Sequence, residues 1–122
     1  MFCLNGTMRY YLCPSTTDMR KGINSLIGVV HQQMGCDVKN GDVFIFICSS
    51  RKLMKLLHAE DDGMVMYVKR LEARRFRLPD YDSKSRTYYM EWRDFVVMVE
   101  GIREDPEQRL RRLRAERKEY VF

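Results

Sequence analysis

Residues Val43 to Cys48 read VFIFIC, a strand-length run with no polar position on either side of the pleat. Successive side chains of a strand point to opposite faces, so a run that is apolar at every position needs cover on both of them. This segment therefore predicts the central strand of a sheet, with the rest of the chain supplying the cover. Asn40-Gly41-Asp42 just ahead of it is a turn signal.

Two further strand-like runs, Leu53 to His58 and Met64 to Arg70, flank Asp61-Asp62-Gly63. An Asp-Gly step between such runs predicts a tight hairpin with left-handed φ, so residues 43–70 read as an antiparallel β-meander. Met8 to Cys13, closed by Pro14, and Arg86 to Tyr89 add shorter strands. The cover comes from two segments with 3-and-4 apolar spacing. Met19, Ile23, Leu26, Ile27, Val30 and Met34 form the first stripe, with Arg20 and Lys21 in its first turn and Gly35 as its cap; Trp92, Phe95, Val96, Val99 and Ile102 form the second, which ends at Gly101. The predicted fold class is α+β: a small antiparallel β-meander sheet with two amphipathic helices packed on it, plus a charged C-terminal helical tail.

With 122 residues, 45% of them hydrophobic, the chain can bury one core, which predicts a single domain over residues 1–102 and a helical or disordered tail over 103–122. The tail opens with a helix-start pattern, Asp105-Pro106-Glu107-Gln108, but has little beyond Leu110 and Leu113 to bury. No apolar run approaches the roughly 20 residues of a bilayer span, and the first residues lack the features of a signal peptide. A cytoplasmic location without membrane contact is expected.

The residue types that carry most chemistry are poorly arranged for it. Cys3, Cys13, Cys36 and Cys48 contain no CxxC pair, and His31 and His58 lie in separate segments, so reduced thiols are expected and no metal or cofactor. Phosphate-loop, nucleophile-elbow and HExxH motifs are missing, and a non-enzyme is expected. A metal nuclease built on Asp18, Asp42 or Asp61 is the weaker alternative, because a turn or a helix start explains each of these acids more simply.

The net charge of +5 is moderate, so its distribution matters more than its size. Residues 69–77 read KRLEARRFR, in which Lys69, Arg70, Arg74, Arg75 and Arg77 face the single acid Glu72. In extended backbone Arg75 and Arg77 share one side, opposite Arg74 and Phe76. Guanidinium groups on one edge suit phosphate oxygens through bidentate bonds and counterion release. A solvated edge strand protected by its charge is the other reading, and the two stay open. Arg51, Lys52 and Lys55 extend the same surface if strands two and three of the meander are adjacent, and Arg20 with Lys21 is a weaker addition at the first helix.

Several of these segments recur together in one order: TDMRKG at Thr17–Gly22, GDVFIFI at Gly41–Ile47, Lys55-Leu56-Leu57-His58, Gly63, KRLE at Lys69–Glu72, then Phe76 and Pro79. The series, from about residue 8 to Ile102, resembles the TnpB accessory proteins of the IS-sixty-six-type bacterial insertion sequences, which are distinct from the RNA-guided nuclease of that name. The resemblance implies a small non-catalytic product encoded beside a transposase and needed for transposition. DNA, including the element's ends, and the transposase are the partners it suggests, and self-association is a further expectation. The alternative it leaves is a protein-interaction module that binds the transposase without touching DNA. Two positions depart from the family pattern: Ser50-Arg51 stands where an Arg-Arg pair is usual, and Ala59 stands in place of a Trp.

Overall fold

The computed structural model describes residues 4–82 and 84–100. In chain order these form β1 (Tyr10–Leu12), α1 (Ile23–Gln32), β2 (Val43–Ile47), β3 (Leu53–Glu60), β4 (Gly63–Arg70), β5 (Tyr88–Met90) and α2 (Trp92–Glu100), with a single 3-10 turn at Val38–Asn40. The expectations for Gly101, Ile102 and the tail 103–122, and with them the domain boundary, lie outside the described residues.

The five strands make one sheet in the order β4-β3-β2-β1-β5, which puts the VFIFI run in the middle, with every one of its residues buried. Its alternation splits the interior in two. Val43, Ile45 and Ile47 meet Tyr10, Leu12, Met54, Leu56, Leu71, Phe76, and Phe95 and Met98 of α2. Phe44 and Phe46 meet Cys13, Leu57, and Leu26, Val29 and Val30 of α1. One helix thus covers each face, which is the cover that the apolar run requires.

The α+β architecture and the β2-β3-β4 meander are as the sequence predicts, with Val43 opposite His58 and Leu53 opposite Arg70. The sheet as a whole is mixed rather than antiparallel. Tyr10 to Leu12 run parallel to Val43 to Ile45, while β5 joins the outer side of β1 antiparallel. The reason is the connection: α1 carries the chain back along the sheet before β2 begins, and such a crossover joins parallel neighbours.

Two local expectations are corrected. The left-handed residues among those described are Gly35, Gly41 and Arg51, so the Asp61-Asp62 turn closes without left-handed φ. Gly63 is already paired with Glu60 as the first residue of β4, so the two central positions fall to aspartates, for which the left-handed region is costly. The first helix also starts later than its apolar spacing suggests, with Gly22 as its N-cap. Arg20 and Lys21 therefore sit before the helix, in a separate turn where the Asp18 carboxylate accepts the Arg20 backbone N–H at 2.9 Å. At the other end Gly35 takes φ +67°, and the Arg86 guanidinium donates to the carbonyls of Gln32 and Gln33 at 2.9 and 3.0 Å, satisfying C-terminal acceptors of α1.

Candidate nucleic-acid interface

The basic segment after β4 is held against the β2-β3 turn by two backbone bonds and two apolar anchors. Leu71 N–H donates to the Lys52 carbonyl and Phe76 N–H to the Arg51 carbonyl, both at 2.7 Å. Leu71 and Phe76 are 8% and 1% exposed and enter the core on the α2 side. With Phe76 pinned inward, Arg75 and Arg77 on either side of it are exposed, and Arg74 is half-buried. This is the alternation expected of the sequence.

Between this segment and the turn lies an open cavity of about 730 Å³ lined by Arg51, Lys52, Ala73, Arg74, Arg75, Phe76 and Arg77. Every charged residue of that lining is a cation. Arg51 sits at φ 58°, a left-handed backbone that is uncommon without glycine, and its N–H donates to the Cys48 carbonyl at 3.0 Å to close the turn. Arg74 is shared between structure and cavity: Nη2 donates to the Val99 carbonyl in the last turn of α2 at 2.7 Å, where a cation complements the helix dipole. Its Nη1 is buried without a hydrogen bond among the described residues.

Cys48 begins the same turn. Burial would raise its thiol, but hydrogen bonds with Ser50 and from the backbone N–H groups of Lys52, Leu53 and Ser50 outweigh that and bring it down to about 7. Arg51 also borders a second groove of about 430 Å³, whose wall includes Cys13, Ser15, Cys48 and Tyr81.

The remaining sequence candidates are placed elsewhere. Lys69 and Arg70 are exposed at the end of β4 and do not line the cavity. Lys55 is 8% exposed, and its ammonium donates to the carbonyls of Met19 and Lys21 at 2.8 and 2.7 Å. It is an internal strut that ties the 18–21 turn to β3, not a surface cation. Arg20 is exposed but ion-paired with Asp18 at 2.7 Å, and bonds from its side chain and backbone hold the Asp18 carboxyl well below the usual range. Arg20, Lys21 and Lys55 thus form a different cluster from Arg51, Arg74, Arg75 and Arg77.

The three aspartates considered for metal chemistry do not converge either. Asp18 pairs with Arg20, Asp42 accepts from Arg9 at 2.9 and 3.3 Å, and Asp61 lies in the β3-β4 turn. Among the described residues no three His, Cys, Asp or Glu side chains form a group that could hold a metal ion, and no helix is long and apolar enough to cross a membrane.

Comparison with known proteins adds the biological setting. A family model described as IS66 Orf2 like protein matches residues 8–109. The chain is also similar to the uncharacterized protein y4jC of Sinorhizobium fredii, at 25% identity over 78% of this chain and 80% of that one. A second protein of the same organism, y4hO, is 31% identical over 59% of this chain and 63% of its own length. No solved structure matches.

Proposed function

We propose a function from one premise: the chain belongs to the IS66 Orf2-like family, whose setting is an accessory role in the transposition of an insertion sequence. In that setting the protein is a non-catalytic DNA-backbone clamp. The observation that carries this reading is the cavity between the β2-β3 turn and the 71–77 segment, whose charged lining is Arg51, Lys52, Arg74, Arg75 and Arg77 with no acid among them.

The chemistry follows from that lining. Guanidinium groups offer paired N–H donors at a spacing that matches phosphate oxygens, and neutralising successive phosphates releases condensed counterions. Such contacts fix position on a duplex but do not read bases, so the clamp supplies affinity and register while sequence choice rests with another component. In this reading the element's transposase is that component.

Titration against duplexes carrying the element's ends, over a series of salt concentrations, tests the reading. The triple variant R51A/R75A/R77A removes exposed side chains and spares Arg74, which supports α2. Each lost phosphate contact is expected to flatten the log–log salt dependence by about 0.9. Unchanged slope and affinity would overturn the clamp. Co-purification of the variant with the transposase after nuclease treatment would then favour a protein-binding role for this surface.

A further inference from the structure

Among the described residues the outer edge of β4 is open. β4 stands at the end of the strand order, spans Gly63–Arg70, and has no described strand beyond it. Val68 is 54% exposed on it. A long strand edge offers a row of unpaired N–H and C=O groups, and proteins usually shorten, bulge or cover such edges. This one has eight residues and no proline.

Its charges are sorted along its length. The turn that leads into it is Asp61-Asp62, and it ends in Lys69-Arg70. Asp62 and Arg70 are both exposed, and neither is held in an ion pair within the described chain. An edge that is acidic at one end, apolar in the middle and basic at the other is complementary to itself when turned around. Parallel pairing would set acid beside acid and base beside base.

We infer that β4 pairs antiparallel with β4 of a second copy of this chain, across a two-fold axis through Met66. The register follows from geometry. A two-fold axis perpendicular to the sheet leaves each face on its own side, and directly opposed residues must share a face. Only registers centred on a residue satisfy both conditions, and those centred on Met66 and Tyr67 use the most strand. Centring on Tyr67 drives Asp62 toward Glu72. Centring on Met66 sets Asp62 opposite Arg70, Gly63 opposite Lys69, Met64 opposite Val68 and Val65 opposite Tyr67, and the symmetry makes each contact twice. The exposed Val68 is then covered by Met64, and the two ends carry opposite charges, both arrangements favourable for cross-strand neighbours.

The product is one continuous sheet of twice five strands with a basic cavity on each half. Arg70, which the DNA reading leaves outside the cavity, gains a role of its own. The pairing does not rest on DNA binding, and mass in the absence of DNA tests it separately.

Light scattering and analytical ultracentrifugation of the whole protein, from micromolar to millimolar concentration, are expected to show twice the monomer mass. D62R sets two cations face to face at each end of the paired strands, and R70D sets two anions there. Each variant alone is expected to raise the dimer dissociation constant about tenfold or more. Mixed in equal amounts, D62R and R70D have complementary edges and are expected to recover the dimer as a heterodimer. A wild-type monomer throughout the range overturns the inference, as does a mixture of the two variants that stays monomeric. Both side chains are exposed, so circular dichroism of the single variants is expected to match wild type.

Discussion

The β3-β4 hairpin is charged at both ends, and the two ends are built on different principles. At the tip, Glu60, Asp61 and Asp62 surround a two-residue turn, with neither aspartate side chain bonded to the rest of the described chain. At the base, Arg51, Lys52, Arg74, Arg75 and Arg77 are fixed by backbone bonds from Leu71 and Phe76 and by two buried side chains. Both ends concentrate charge, but at the base the backbone that carries it is tied to a second turn and to the core around a cavity. Such anchoring suits repeated phosphate contacts, because a backbone already fixed leaves less to order on binding.

The largest way to break this contrast is to remove the anchor. Phe76→Ala is expected to cost about 3 to 5 kcal/mol by opening a hole in the α2-side core, and to loosen the base of the hairpin while the tip is unaffected. Chemical denaturation measures the loss, and Asp61→Asn at the tip is the comparison, expected to stay within about 0.5 kcal/mol of wild type.

Lys55 sharpens the contrast from another direction, since it is a cation near the base that contributes to folding and not to the surface. Lys55→Met keeps its bulk but leaves the carbonyls of Met19 and Lys21 without their donor. The expected loss is about 2 kcal/mol in denaturation, with DNA affinity of the folded protein unchanged. A fall in affinity at full folding would return Lys55 to the binding surface.

Arg51 gives the smallest effect and the most diagnostic one, because stability and binding should move in opposite directions. Its left-handed φ costs an ordinary residue about 1 kcal/mol, so Arg51→Gly is expected to raise stability by about that amount while weakening DNA binding. A side chain kept only for structure would lower or leave both.

The contrast also marks what could be read from the chain beforehand. The central position of β2 was legible because five consecutive apolar residues admit one explanation. The alternation of Arg74, Arg75, Phe76 and Arg77 was legible for the same reason, a large aromatic that must be buried fixing its neighbours. The direction of β1 was not, since three residues pair as well parallel as antiparallel and the crossover decides between them. Nor was the fate of Lys55, whose acceptors are 34 and 36 residues away in sequence. Met19 matched the helical stripe, yet its turn is set by Asp18 and by that distant lysine, so the periodic signal overran the true start of α1. Charge in the sequence located the basic edge, but which cations are free and which are internal was a matter of tertiary contacts.

The residues that line the basic cavity all fall between Arg51 and Arg77, on the turn that begins at Cys48 and the segment that follows β4. The rest of the protein reaches it through the bond from Arg74 to Val99 and through Leu71 and Phe76, which are packed in the core on the α2 side. The surface proposed to bind DNA is therefore encoded within a single contiguous passage of the gene. Recombination that exchanges this passage between related elements would carry every lining residue together, provided that the α2-side core that receives Leu71 and Phe76 is kept.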